Sequence, residues 1–199
     1  MQSSGYYLDL NTFGFDELKE LLKNIRLLPS QQILLEDIDG RFAIIEGGGI
    51  ENLAQLQKVL KNKAAVLAFA EETGIPVDFL TVLRREVNSY QPKPISFKAF
   101  PGVDTAVVQK LEEAGIKNTK QLFPFVLNPE SRRAFGEENQ IAPDDVLELT
   151  KLTDVARMKW VGPKFARLLV ESPYDTVAKV AAADYVEFYE AITRVNEEK

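Results

Sequence analysis

Between Val155 and Val170 the chain carries four bases, Arg157, Lys159, Lys164 and Arg167, and no acid. The middle of this stretch reads Met158-Lys-Trp-Val-Gly162 and runs into Pro163. Gly162-Pro163 fits a turn that opens a helix with proline in its first turn. A helix start offers unpaired N–H donors and a positive dipole end, and glycine lets the backbone come close to an anion. Lys164 and Arg167 lie three apart and are expected on one face, with Phe165, Leu168 and Leu169 turned to the core. Trp160, beside Lys159, is suited to stacking on an unpaired base or sugar. These residue types point to contact with a nucleic-acid backbone, which carries no base-sequence information. The same residues also read as a solvated basic face with Trp160 wedged between packed units. The sequence leaves both readings open.

Other chemistries find less support. The chain has no Cys and no His among its 199 residues. That removes disulfides, thiolate nucleophiles, zinc sites built on these ligands and any relay through imidazole. Asp37-Ile-Asp39-Gly40 resembles the start of a calcium loop but lacks a third acid at the right spacing, so it reads as a helix start or turn. Gly47-Gly-Gly-Ile50 is not followed by Lys-Ser/Thr and reads as a helix C-cap and turn, not a phosphate-binding loop. Asp144-Asp145 and Glu137-Glu138 suit helix starts, and no acid pair converges on a catalytic arrangement. No catalytic residue, metal or cofactor is assigned.

The elements that position the basic segment show an internal echo. Gly49-Ile-Glu-Asn-Leu-Ala-Gln-Leu56 aligns with Gly115-Ile-Lys-Asn-Thr-Lys-Gln-Leu122 at a shift of 66 residues. At the same shift Ala68–Asp78 aligns with Ala134–Asp144, and six of those 11 positions are identical. Past Leu83 and Leu149 the offset falls to 58, which leaves about 8 extra residues near Ser89-Tyr-Gln-Pro-Lys-Pro94, a proline-stiffened connector. Phe100-Pro-Gly-Val-Asp104 then aligns with Met158-Lys-Trp-Val-Gly162, and Leu35-Glu-Asp-Ile-Asp39 is a fainter third version. Apolar residues recur mostly at helical spacing, as over Ala54–Phe69 and along Tyr185, Phe188, Tyr189 and Ile192, the last stripe opened by Asp184. Tyr6–Leu10 alternates weakly and reads as a short strand or an extended arm.

Each short unit resembles the helix-hairpin-helix motif, whose hairpin runs apolar-x-Gly-apolar-Gly. Phe100–Asp104 keeps the first glycine at Gly102 and has Asp104 at the second. Met158–Gly162 keeps the second and has Trp160 at the first. Leu35–Asp39 keeps neither. From Tyr7-Leu-Asp-Leu10 through Thr73-Gly-Ile-Pro76 to Val161-Gly-Pro-Lys-Phe-Ala-Arg167, the layout resembles an uncharacterised bacterial family of unknown function built from such repeats. The resemblance extends over nearly all of the chain. It implies a fold and a loose association with nucleic acid, and it carries no reaction.

The expected fold is therefore all-α, with tandem helix-hairpin-helix-like (SAM-like) repeats that arose by internal duplication. One helical part spans 1–94, with a degenerate hairpin near 35–50. The other spans 95–199, with units near 98–122 and 155–180. The net charge is −6, and the two parts are equally acidic: 10 bases against 13 acids in 1–94, and 14 against 17 in 95–199. The expected function is a non-enzymatic module that binds DNA or RNA backbone weakly through Arg157, Lys159, Trp160, Gly162, Lys164 and Arg167. The alternative is a protein-interaction scaffold with purely structural hairpins, which the acidic balance and broken glycine patterns favour. With no leader-like or membrane-spanning stretch, a cytoplasmic location is expected.

Overall fold

The computed structural model describes residues 5–197. Contacts divide the chain into two compact units, Met1–Gln91 and Pro92–Lys199, and the division falls within the proline-rich connector. The described residues form helices and no strand, with one isolated antiparallel bridge between Ser96 and Asn118. The fold is all-α.

In the first unit the helices are α1 (Phe15–Asn24), a 3-10 turn at Pro29–Leu35, α2 (Ile38–Gly47), α3 (Leu53–Val59), α4 (Lys63–Thr73) and α5 (Val77–Ser89). Aromatic side chains organise the core: the ring of Phe42 lies 5.3 Å from that of Phe15 and 6.4 Å from that of Phe79. The segment at Tyr6–Leu10 is not a strand. It buries Tyr6, places Leu10 in this core, and the Leu10 and Phe13 carbonyls accept from the N–H groups of Ala54 and Leu53. That arrangement satisfies two donors at the start of α3, where intrahelical partners are missing. Glu86 is the buried charge here, and it accepts from Gln31 Nε2 and from the Tyr90 hydroxyl, both at 3.2 Å. Burial, reinforced by the Glu86 carboxylate, pushes the Tyr90 hydroxyl far above its ordinary range.

The second unit contains a 3-10 turn at Phe97–Ala99, α6 (Thr105–Glu113), α7 (Thr119–Leu122), a 3-10 turn at Phe123–Phe125, α8 (Pro129–Asn139), α9 (Pro143–Val155), α10 (Pro163–Glu171), α11 (Val177–Ala181) and α12 (Tyr185–Glu197). Its core forms around α9, which buries Val146, Leu149, Leu152 and Val155 and packs on both α8 and α10. Each fully buried aliphatic side chain of this kind contributes roughly 1.5–3 kcal/mol.

The two units use the same local devices at matching positions. Asn52 accepts from the Gln55 N–H at 3.0 Å, and Asn118 accepts from the Gln121 N–H at 3.1 Å. The glutamine side chains reach back to the Glu51 and Lys117 N–H groups, each at 2.8 Å. Asn62 and Asn128 cap α4 and α8 in the same manner. Both of those helices end on a left-handed residue, Gly74 (φ 73°) and Gln140 (φ 53°). Asparagine caps of this kind are worth about 1 kcal/mol each.

Two sequence expectations change in detail. The periodic stretch Ala54–Phe69 is two helices, not one, because Asn62 takes a non-helical backbone and caps a new start. The stripe on α12 also divides. Phe188 and Ile192 pack on the core, whereas Tyr185 and Tyr189 are solvent-exposed. Asp184 caps this helix, accepting from the Val186 and Glu187 N–H groups.

Candidate functional site

The three segments expected to be hairpins, 35–39, 100–104 and 158–162, share one backbone feature. The third residue of each has positive φ: Asp37 at 46°, Gly102 at 79° and Trp160 at 69°. At Gly102 this is ordinary, since glycine enters the left-handed region without steric penalty. At Trp160 it is not. A left-handed residue with a Cβ costs roughly 1–2 kcal/mol, and a bulky one is a genuine outlier. The Met158 carbonyl and the Val161 N–H close the turn at 3.4 Å, and Val161 is buried, so the turn is fixed on both sides of Trp160. The indole itself is 68% exposed. The Lys159 ammonium lies 5.5 Å from the indole centroid, a cation–π contact.

The helix starts that follow differ. Asp104, at the start of α6, accepts from the Ala106 N–H at 2.8 Å, so its own carboxylate fills the anion position. Gly162, at the start of α10, has no side chain to do so. Its φ of −93° needs no glycine, and a Cβ there would meet nothing within 4 Å. Pro163 occupies the first helical position. Lys164 is exposed and has no hydrogen-bond or ion-pair partner among the described residues.

The two arginines are placed differently from the sequence expectation. Arg167 does not share an exposed face with Lys164. It is 6% exposed, donates from Nε to the Pro101 carbonyl at 2.6 Å, and donates from Nη2 to Glu148 at 2.8 Å. Its guanidinium packs beside Gly102. Arg167 therefore ties the second hairpin to α9 and α10, and its charge is neutralised by Glu148. Residues three apart on a helix are about 60° off alignment, which here suffices to turn one outward and the other inward. Arg157 pairs with Asp154 at 2.9 Å and lies 5.6 Å from the Phe123 ring centroid. In the site, Trp160 and Lys164 are exposed, and Lys159 and Gly162 are half-buried. Glu148 escaped the sequence reading, because nothing in a helical acid 19 residues from Arg167 signals their contact.

Residues 101–199 match the family model of DUF4332, a domain of unknown function. The match covers just under half of the chain and takes in every helix from α6 onward. It is narrower than the resemblance drawn from the sequence, which extended through the first unit. No curated protein and no solved structure matches the chain. Among the described residues no helix is long and apolar enough to cross a membrane.

Proposed function

We propose that the chain is a non-enzymatic binding module that contacts nucleic-acid backbone through its third hairpin. The observation that carries this reading is the open start of α10. Its equivalent in α6 is filled by Asp104, while at Gly162 no side chain caps the helix, and Lys164 and Trp160 beside it are exposed. A strained, exposed aromatic stands where glycine would sit more easily, and strain of this kind clusters at functional positions. In this reading the helix-start N–H groups and Lys164 meet a phosphate, and the Lys159–Trp160 pair covers a sugar or an unpaired base.

The recurring Asn caps and the positive φ at Asp37, Gly102 and Trp160 support an origin by duplication of one helix-hairpin-helix-like unit. With Arg167 and Arg157 paired internally, about one to two phosphates are neutralised, so the log–log salt slope is about −1 to −2. Fluorescence anisotropy with single- and double-stranded DNA and RNA at low salt tests the proposal. Binding with that slope, lost in Lys164→Glu and weakened in Trp160→Gly, supports it. Absence of binding, or binding indifferent to both variants, refutes it.

A second reading, a scaffold for a protein partner, rests on α12. Tyr185, Val186 and Tyr189 present an apolar surface to solvent. Pull-down on nuclease-treated extract with Tyr185→Ser/Tyr189→Ser as control separates this reading from the first.

A further inference from the structure

Within the DUF4332 segment, α9, α11 and the turn at Phe123–Phe125 line a half-open cavity of about 470 Å³. Thr153 of α9 lines it, and its hydroxyl is fully buried with no hydrogen-bond partner. Thr150, one turn earlier, does what helical threonines ordinarily do and donates to the Val146 carbonyl at 2.7 Å. Buried hydroxyls are almost always paired, so an unpaired one beside a cavity marks a place for a polar ligand atom.

The charged residues around this cavity run against the acidity of the chain. Arg132, Lys151, Arg157 and Lys179 line it, against Asp154 and Asp175. Both carboxylates are already engaged from two sides. Asp154 accepts from Arg157 Nε at 2.9 Å and from the Val177 N–H at 2.8 Å. Asp175 holds Lys151 at 2.8 Å and Lys179 at 2.6 Å. These acids hold Arg157, Lys151 and Lys179 in place, and with Arg132 the lining keeps an excess of two positive charges. Each ammonium carries three donors, of which Asp175 takes one. Phe123, Leu127 and Leu147 supply an apolar wall.

An excess of two positive charges matches a phosphate monoester, which carries about −1.5 to −2 at neutral pH. The volume falls in the range of sites for small organic ligands. We propose that this cavity binds a small organic phosphate monoester, with the phosphoryl group among the cations and the Thr153 hydroxyl and the organic part on the apolar wall. The proposal is independent of nucleic-acid contact at the third hairpin.

Isothermal titration calorimetry on the full chain tests it with two probes that share the phosphoryl group, AMP and glucose 6-phosphate. Adenosine, glucose and inorganic phosphate are the controls. One of the two esters is expected to bind with one-to-one stoichiometry, at least about tenfold tighter than its own alcohol and than inorganic phosphate. Which ester binds tells a flat aromatic group from a sugar. Thr153→Val preserves shape and removes the unpaired hydroxyl, so it is expected to keep or raise the melting temperature while weakening binding about tenfold. Arg132→Met and Lys179→Met are each expected to weaken it similarly, and Lys164→Glu to leave it unchanged. Failure of both esters at millimolar concentration overturns the proposal. So does inorganic phosphate binding as tightly as the better ester, or binding indifferent to Thr153→Val and Arg132→Met.

Discussion

Gly102 and Trp160 hold the same left-handed backbone at the third residue of their turns, with φ of 79° and 69°. One has no side chain and the other the largest there is. Replacing Trp160 with glycine relieves roughly 1–2 kcal/mol of backbone strain and returns about 0.5–1 kcal/mol as unfolded-state entropy. The exposed indole contributes little packing to offset the gain. Trp160→Gly is therefore expected to leave thermal stability unchanged or up to about 1 kcal/mol higher, and Trp160→Ala, still strained, to stabilise less. A calorimetric melt of the three proteins decides it, and a clear loss of stability in Trp160→Gly would mean that the indole is a structural wedge.

Arg167 bridges the Pro101 carbonyl and Glu148 from a buried position. Glu148→Gln leaves that guanidinium without a counter-charge. Breaking a fully buried pair costs about 3–5 kcal/mol, and the discount for a partly exposed partner brings the expected loss to about 2 kcal/mol. Urea denaturation measures it. Arg167→Lys is expected to destabilise as well, since a single ammonium cannot serve both acceptors with the planar fork of arginine. A neutral result in both variants would free Arg167 for a role at the surface.

Asp175 gives the fold an acid-sensitive contact. Burial pushes its carboxyl up, but hydrogen bonds from Lys151 and Lys179 and their charges outweigh this, and the net direction is below the ordinary Asp range. A group with a depressed folded pKa stabilises above its unfolded value, about 3.9, and loses that contribution as pH falls through the lower folded value. Asp175→Asn is expected to cost about 2 kcal/mol at pH 7. The gap between variant and wild type should close as pH drops below about 4. Denaturation midpoints from pH 7 to pH 2 check this, and a gap that widens on acidification would contradict it.

What the sequence made legible was whatever is encoded locally. The Asn-x-x-Gln echoes at Asn52 and Asn118 were legible as matching residues, and the hydrogen bonds show them to be cap chemistry complete within four residues. Helical periodicity likewise gave the all-α class. What stayed hidden was encoded across distance. Arg167 and Lys164 look equivalent on a helical wheel, and only Glu148 and Pro101, brought up by the packing of α9 and α10, distinguish the two. The break at Asn62 was visible as a residue but masked by apolar spacing that ran through it. Thr153 offers no sequence signal at all, because an unpaired hydroxyl is a property of its surroundings.

The contrast between Asp104 and Gly162 can be turned into a single substitution. Gly162→Asp recreates at α10 the start found at α6, where the carboxylate accepts from the Ala106 N–H. A Cβ at position 162 meets open space, and its backbone is extended, so the variant folds without strain. Aspartate is a better N-cap than glycine by a few tenths of a kcal/mol, which predicts a melting temperature equal to or slightly above that of the wild type. The same carboxylate fills the helix-start N–H groups and repels phosphate, which predicts weaker anisotropy-measured binding at every salt concentration. Gly162→Ala, uncharged, should bind like the wild type, because nothing at this position requires the absence of a side chain. If Gly162→Asp binds polynucleotide as well as Gly162→Ala does, the start of α10 is not where the phosphate sits.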